Sequence, residues 1–197
     1  MLDLLSLQKH FILAHLRPGD RAVDFTMGNG YDTVFLSQTV GERGEVTAFD
    51  IQPAALRHTA ENLRKNCCPD NWRLLCVSHD RAAEYVRGGI KAGMFNLGYL
   101  PGNGNKSLTT KRATTLPAVQ SAVEMLAPDG VLLVAVYPGH AEGALEGQLL
   151  AEYFASLSRF QYTVAQFRML NSPESPYFHV IEKHEEGDAG RRGKRGF

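Results

Sequence analysis

Two carboxylates and a glycine-rich segment stand where they could bind a nucleotide-like ligand. One apolar run ends at Asp24 and continues into the turn 25–30, and a second apolar run ends at Asp50. A glycine-rich turn after a strand lets the backbone approach a ligand closely, and a carboxylate at the end of the next strand can bind a ribose diol. A tight strand–helix turn without a ligand is the alternative, for which Gly28 and Gly30 would suffice.

Two kinds of ligand use such a site, the dinucleotides and S-adenosylmethionine. A dinucleotide site wants a third glycine for close packing of helix on strand, and this chain has Thr33 at that position. The carboxylate of Asp24 would repel a pyrophosphate, whereas it suits the amino group of a methionine moiety, directly or through water. The pattern therefore favours S-adenosylmethionine, with Asp50 on the ribose hydroxyls and Ile51 on the adenine face.

Further polar residues follow the ends of the other predicted strands. In a doubly wound sheet the ligand lies beyond the carboxyl ends of the strands, at the switch point of the topology. His79 could read the adenine edge there, or it could instead cap the short helix that follows. The expected donor-binding residues are Asp24, Thr26, Gly28, Asn29, Gly30, Asp32, Asp50, Ile51, Gln52, His79, Asp80 and Asn96.

The segment that begins at Asn96 carries groups suited to hold an amine. Methyl transfer from a sulfonium is an in-line displacement, so positioning of the nucleophile supplies much of the acceleration. In amino methyltransferases an Asn or Asp at this strand end, followed by an aromatic residue, holds the target nitrogen. Here the Asn96 oxygen and the carbonyl of Leu97 or Gly98 would accept its two hydrogens, with Tyr99 as the aromatic residue. A loop that merely turns the chain is the alternative.

Composition limits the class of protein. A chain of 197 residues suffices for one well-buried domain, and its net charge of zero argues against nucleic-acid binding through overall charge. Any RNA contact needs a local patch such as Lys106, Lys111 and Arg112, although three cations can also form a mere solvated face. Three cysteines without C-x-x-C spacing argue against a disulfide framework or zinc site and favour a reducing cytosol. No apolar run has the length of a membrane span.

Alternating apolar runs and helical patterns predict an α/β fold, a Rossmann-like doubly wound sheet. Strands are expected at 21–25, 45–50, 72–77, 92–97, 131–137, 162–170 and 177–183. Helices are expected at 4–16, 32–40, 53–65, 81–87, 115–127 and 143–157, with Thr114 or Thr115 as the N-cap of the fifth. The first five strands are apolar at nearly every position, which is typical of burial on both faces, and the last two must be antiparallel. Residues 1–183 are expected to form one domain and 184–197 a disordered tail.

Six segments make the chain resemble a known family. They read DFTMGNGYDT, FDIQ, SH, MFNLGYLPG, KS and YPGHAEG and begin at Asp24, Phe49, Ser78, Met94, Lys106 and Tyr137. Over about residues 10–183 the chain resembles the family once labelled putative rRNA methylases, whose characterised members are tRNA 5-aminomethyl-2-thiouridine methyltransferases (MnmM, also called YtqB). The resemblance implies a class I methyltransferase with a seven-stranded sheet and S-adenosylmethionine as donor. The implied acceptor is the wobble uridine 34 of certain tRNAs, whose 5-aminomethyl nitrogen becomes 5-methylaminomethyl.

The same resemblance implies a substrate site at the carboxyl edge of the sheet. The expected catalytic residues are Asn96, Gly98, Tyr99 and His140. A primary alkylamine is mostly protonated near neutral pH, so it must lose a proton, which His140 or Asp32 could receive through water. Tyr99 or Tyr137 could stack on an unpaired anticodon base. The expected substrate-binding residues are Leu97, Tyr99, Lys106, Tyr137, His140 and Asn171.

Two departures from the family pattern concern the rim of this site. Tyr31 stands where the family commonly has His, and the last inter-strand loop keeps only Asn171 and Pro176 of the usual motif. That loop could therefore read a different set of tRNAs.

The expected partner is a tRNA anticodon stem-loop, with no metal, no membrane and a cytoplasmic location, and a homodimer is left open. Alternative functions are rRNA methylation, a non-catalytic RNA-binding module and a nicotinamide oxidoreductase, the last disfavoured by Thr33.

Overall fold

The computed structural model describes residues 4–98, 110–139 and 141–185, except the side chain of residue 5. Within these residues seven strands form one sheet: β1 Arg21–Asp24, β2 Glu45–Asp50, β3 Trp72–Cys76, β4 Ile90–Asn96, β5 Leu126–Val136, β6 Tyr162–Phe167 and β7 Tyr177–Lys183. Five α-helices accompany them: α1 Leu4–His15, α2 Tyr31–Val40, α3 Pro53–Lys65, α4 Arg112–Met125 and α5 Ala141–Ser156. A 3₁₀ helix spans His79–Glu84.

The strand order is β3-β2-β1-β4-β5-β7-β6. Strands β1 to β5 are parallel, and β7 pairs antiparallel with both β5 and β6. The switch point of this doubly wound topology lies between β1 and β4, where ligands bind in such sheets. The predicted fold class and antiparallel finish are confirmed.

Register places the candidate residues along one edge of the sheet, the carboxyl edge, at which β1 to β5 end. Asp24 is aligned with Ala48 of β2 and with Met94 of β4, so Asp50 and Asn96 each lie two residues farther along. The β6–β7 connection reaches the same edge because Tyr177, the first residue of β7, pairs with Val136, the last of β5.

Apolar side chains fill both faces of the sheet. On one face α4 and α5 cover a cluster that includes Phe25 and Phe95, whose rings stack at 4.2 Å. On the other face α1 and α2 cover a second cluster around Ile12, Leu36 and Met94. Burial of this kind, at about 25 cal/mol per Å² of apolar surface, stabilises the central strands and holds their ends in place.

Several predicted boundaries are wrong. Helix α4 begins at Arg112 with Lys111 as N-cap, and Thr115 is a buried residue inside it. The helix expected at 81–87 is a 3₁₀ helix that starts at His79, and β5 begins at Leu126 rather than 131. Strand β3 is not buried on both faces, since it is the outermost strand on one side of the sheet. It pairs with β2 alone, which sequence periodicity does not reveal.

No helix among the described residues is long and apolar enough to cross a membrane. Only residues 184 and 185 of the expected tail are described.

Candidate active site

The glycine turn after β1 is packed directly against helix α3. Gly30 adopts a φ of +83°, and a Cβ placed on it would lie 2.8 Å from Thr59 of α3. The Thr59 hydroxyl donates a hydrogen bond to the Gly28 carbonyl at 3.2 Å. Gly30 is therefore required by the contact between turn and helix as well as by its left-handed backbone.

Asp50 links the end of β2 to this turn. Its carboxylate accepts hydrogen bonds from the Gly28 N–H at 3.1 Å and from the Gln52 N–H at 2.9 Å. Burial raises the pKa of Asp50, and the backbone hydrogen bonds oppose that rise. A carboxylate has about four acceptor positions, so two held by backbone amides leave room for a vicinal diol. Ile51 beside it is 56% exposed, which leaves an apolar face open at the edge.

Asp24 is buried beneath the turn. Only 1% of it is exposed, and its carboxylate accepts hydrogen bonds from the Thr33 hydroxyl at 2.6 Å and the Thr26 N–H at 3.1 Å. Burial, and then the nearby charge of Asp32, raise the pKa of Asp24 to about 7. Thr33, which replaces the third glycine of a dinucleotide site, is thus the residue that covers Asp24.

Asn96 closes β4 and is held from two sides. Its backbone N–H donates to the Thr26 hydroxyl at 2.7 Å, and its side-chain nitrogen donates to the Asp32 carboxylate. Its side-chain oxygen is buried, and no residue in the described ranges donates a hydrogen bond to it. A buried acceptor without a donor is uncommon in a native fold and points to a ligand donor.

Asp32, Tyr137 and Gly98 lie at the same end of the sheet as this asparagine. Burial raises the pKa of Asp32, while Lys9 and the hydrogen bond from Asn96 oppose the rise. Burial and the charge of Asp32 raise the pKa of Tyr137, so the phenol lies near that carboxylate. A Cβ at Gly98 would lie 3.8 Å from the Tyr137 ring.

The chain that follows β4 returns to the site at Thr110. Its N–H donates to the Gly98 carbonyl at 3.0 Å, and its hydroxyl donates to Glu146 of α5 at 3.0 Å. Glu146 is 2% exposed and also accepts a hydrogen bond from Thr115 at 2.5 Å. This buried carboxylate fixes the start of α4 next to the site.

His79 follows the end of β3 at the carboxyl edge. Its Nδ1 is 3.2 Å from the Phe25 carbonyl, and its buried Nε2 has no hydrogen-bond partner among the residues described. Burial lowers the pKa of His79, which favours the neutral ring. The alternative that His79 caps the 3₁₀ helix is wrong, because Ser78 is the N-cap and His79 is the first residue of the helix. Asp80 beside it is exposed.

Other predicted residues differ in how they reach the site. The Leu97 side chain is 1% exposed and packs in the core, so only its backbone can face a substrate. Asn171 is exposed in the β6–β7 connection at the carboxyl edge. Arg112 is paired with Glu142 at 3.0 Å. Tyr99, Lys106 and His140 lie outside the described residues.

Four residues of the site escaped sequence reasoning as functional positions. In the sequence Thr33 marks only the absence of a third glycine, although its hydroxyl donates a hydrogen bond to Asp24. Lys9, Thr110 and Glu146 were not singled out. Glu146 shares the buried stripe of α5 with Gly143, Gly147, Leu150 and Phe154, and a charge on such a stripe is a usable signal.

Asp24, Asp32, Asp50, His79 and Asn96 therefore lie along the carboxyl edge, with the glycine turn among them. Among the described residues, no group of three or more His, Cys, Asp or Glu side chains could hold a metal ion. The arrangement offers a carboxylate for a diol, an open apolar face and a buried amide oxygen for a hydrogen-bond donor.

Comparison with family models gives two matches. The model described as "Putative rRNA methylase" matches residues 46–183, which include Asp50 and Asn96. The model of protein-L-isoaspartate (D-aspartate) O-methyltransferases matches residues 4–83, which include the glycine turn.

A curated relative is the chloroplastic tRNA (mnm(5)s(2)U34)-methyltransferase of Arabidopsis thaliana. The two chains are 34% identical over 184 residues. The match covers 86% of this chain and 65% of the Arabidopsis protein, so the chain spans just under two thirds of that relative's length.

Two solved structures share the fold over nearly their whole length. A Clostridium thermocellum protein described as "putative rRNA-methylase" has a TM-score of 0.89 at 34% identity, over 93% of this chain and 98% of that one. A Streptococcus mutans protein described as "putative methyltransferase", in complex with SAH, has a TM-score of 0.83 at 34% identity, over 93% and 99%. The likeness therefore extends over both halves of the sheet.

Proposed function

The chain belongs to the putative rRNA methylase family of class I, S-adenosylmethionine-dependent methyltransferases, and from this premise we propose that it methylates tRNA at the wobble position. The acceptor is the 5-aminomethyl nitrogen of 5-aminomethyl-2-thiouridine at position 34, and the product is 5-methylaminomethyl-2-thiouridine. S-Adenosylhomocysteine is the second product. The tRNA relative from Arabidopsis supports this choice of acceptor.

The observation that carries the proposal is the orientation of Asn96. Its amide nitrogen donates to Asp32, so its oxygen is the atom left facing the site, buried and without a donor from the described chain. An amine supplies such a donor, whereas a carbon or carboxylate acceptor does not. The Leu97 carbonyl is the second acceptor of amine hydrogens in this proposal, because the Gly98 carbonyl already receives the Thr110 N–H.

The described residues fit the donor. Asp50 would hold the ribose hydroxyls, since both of its oxygens are oriented by backbone amides. Ile51 would cover one face of the adenine, and the unpartnered Nε2 of His79 would meet its edge together with Asp80. Bound S-adenosylmethionine supplies a sulfonium methyl group, which is electrophilic. Thr26, Asn29 and Gln52 would complete the donor site. Asp24 would lie beneath it and interact electrostatically with Asp32.

The acceptor amine must arrive neutral. Desolvation near Tyr137 favours loss of its proton, and His140, which lies outside the described residues, would receive that proton through water. Asn96 and the Leu97 carbonyl then direct the nitrogen lone pair towards the methyl carbon. The N–C bond forms as the S–C bond breaks, and the electron pair of that bond stays on sulfur. Tyr137 would stack on the wobble base, and Asn171 would contact the anticodon rim.

A direct assay separates this function from the alternatives. Full-length protein is incubated with methyl-labelled S-adenosylmethionine and with separated tRNA and rRNA from cells that lack it. We expect label in tRNA, and mass spectrometry should find 5-methylaminomethyl-2-thiouridine at the expense of 5-aminomethyl-2-thiouridine. Label in rRNA alone would establish rRNA methylation instead. RNA binding without any affinity for S-adenosylhomocysteine would establish a binding module.

Residues 1–183 are proposed as one methyltransferase domain that acts on the anticodon stem-loop. A cytoplasmic location is proposed because Cys67, Cys68 and Cys76 are all free thiols. A homodimer stays a proposal that light scattering would test.

A further inference from the structure

Helix α1 brings a cation to the candidate active site. His15, the last residue of α1, lies 3.0 Å from Asp129 near the start of β5, so α1 runs from the carboxyl edge towards the opposite edge of the sheet. The Lys9 ammonium lies 5.1 Å from the centre of the Phe35 ring on α2. Phe35 is one helical turn from Asp32, which places the ammonium beside the first turn of α2.

Three ionisable groups face the Asp32 carboxyl from the elements packed around it. Asp24 from β1 and Tyr137 from the end of β5 both interact with it electrostatically, as Lys9 does from α1. Burial favours the protonated form of Asp32. Lys9 and the N-terminus of α2 favour the charged form.

The charge of Asp32 decides which end of the Asn96 amide faces the site. A carboxylate only accepts hydrogen bonds, so it must be met by the Asn96 nitrogen, as observed. A protonated carboxyl can instead donate to the Asn96 oxygen. The amide would then turn its NH₂ group towards the site and would repel an amine donor.

We propose that Lys9 is a positioning residue whose ammonium keeps Asp32 ionised and thereby keeps the Asn96 oxygen directed at the acceptor amine. This inference rests on the proposed function, because it assigns the control of the amine-binding group. Lys9 acts through Asp32 and does not touch the reacting atoms.

The first test follows the ionisation of Asp32 without any substrate. Side-chain ¹³C-carboxyl resonances of Asp are followed against pH by NMR in the full-length protein, and Asp32→Asn identifies the Asp32 signal. Asp24 and Asp32 interact, so the midpoint is assigned from that variant. We expect Lys9→Met to raise the Asp32 midpoint by about 0.5–1 pH unit, at or below the lower end of the range for a nearby opposite charge, because Lys9 is partly exposed. Lys9→Arg should leave it in place.

The second test is a mutant cycle on methyl transfer. Lys9→Met should move the acidic limb of the pH profile of kcat/KM to higher pH by the same amount and should lower kcat more than it changes KM. In the Asp32→Asn background Lys9→Met should change kcat/KM by less than about twofold, since coupled residues are not additive. Lys65→Met, at an exposed position on α3, controls for loss of one positive charge. If Lys9→Met folds poorly, the same measurements are made on Lys9→Gln.

The outcomes distinguish failure of the role of Lys9 from failure of the proposed function. An unchanged Asp32 midpoint in Lys9→Met, or an undiminished effect of Lys9→Met in the Asp32→Asn background, overturns the role of Lys9. Absence of tRNA methylation overturns the proposed function, and the NMR midpoint still decides whether Lys9 controls the charge of Asp32.

Discussion

The side-chain nitrogen of Asn96 donates a hydrogen bond to the carboxylate of Asp32, across from the end of β4 to the first turn of α2. Asn96 ends β4, and Asp32 lies on the helix that follows β1, so their contact spans the switch point. A second contact, from the Asn96 N–H to the Thr26 hydroxyl at 2.7 Å, fixes the backbone of the same residue. The asparagine is therefore oriented by hydrogen bonds within the protein itself, which is the condition for precise placement of a nucleophile.

Removal of the Asn96 side chain should abolish orientation of the amine while the donor site stays intact. We expect Asn96→Ala to lower kcat about 100-fold, the usual scale for one group that acts on the transition state. Affinity for S-adenosylhomocysteine, measured by calorimetry, should change less than about fivefold. Asn96→Asp should be nearly as inactive, because it places a second carboxylate against Asp32. Wild-type kcat in Asn96→Ala with modified tRNA would refute the assignment.

Gly30 offers a test of the packing between the turn and α3. Its φ of +83° and that of Gly19, +94°, are similarly unfavourable for alanine, but a Cβ at Gly19 meets no atom within 4 Å. Gly19→Ala should cost about 1 kcal/mol of unfolding free energy. Gly30→Ala should cost about 2–4 kcal/mol, because overpacking against Thr59 is added. Urea unfolding measures both, and equal losses in the two variants would mean that the contact is unimportant.

The strand ends were predictable from sequence, and most residues that lock them were not. Apolar runs placed Asp24, Asp50 and Asn96 at the ends of buried strands, and the register brings them to one edge. Burial of Asp24 under Thr33 depends on the angle at which α2 leaves the turn, which residue spacing does not specify. Likewise, the sequence pattern is typical of an N-cap at Thr115, but the structure buries this residue inside α4.

The same limit explains why the sequence does not point to Lys9 and does not show that β3 is an edge strand. Lys9 acts on a residue 23 positions away because α1 and α2 share one face of the sheet, a tertiary relation. Strand β3 has a sequence like that of the central strands, but nothing in a single sequence says which strand lies at the edge.

Asp24 predicts how stability depends on pH. Its pKa is about 7 in the folded protein against 3.8 for an unperturbed carboxyl, chiefly because of burial. Between these values the folded state binds a proton that the unfolded state has lost, so the unfolding free energy should fall as pH rises from about 4 to about 7, by at most about 1.4 kcal/mol per pH unit. Asp24→Asn should flatten this slope, since an amide can still bond Thr26 and Thr33.

Urea unfolding across that pH range measures the slope. Asp70→Asn, at an exposed position, is the matched control and should leave the slope in place. Burial also raises the pKa of Asp32 and Asp50, so a smaller slope of the same sign should persist in Asp24→Asn. A slope of wild-type size in Asp24→Asn would contradict the buried, protonated state of Asp24.

Glu146 should matter for substrate rather than donor. It accepts hydrogen bonds from Thr110 and Thr115, and Thr110 in turn holds the Gly98 carbonyl beside the site. Glu146→Leu leaves two threonine hydroxyls without their acceptor, which should cost about 2–3 kcal/mol of stability. The looser connection should raise KM for tRNA about fivefold or more, with S-adenosylhomocysteine affinity unchanged.

Two further variants separate the polar contact from mere loss of volume at Glu146. Adding Thr115→Val to Glu146→Leu removes one stranded hydroxyl, so part of the lost stability should return, because replacing both partners by apolar groups is less costly than removing one. KM for tRNA should stay high in that double variant, since Thr110 is still without its acceptor. Glu152→Gln, exposed on the same helix, should change neither quantity. If KM for tRNA returned to the wild-type value together with stability, Glu146 would serve only the fold and not the placement of Thr110.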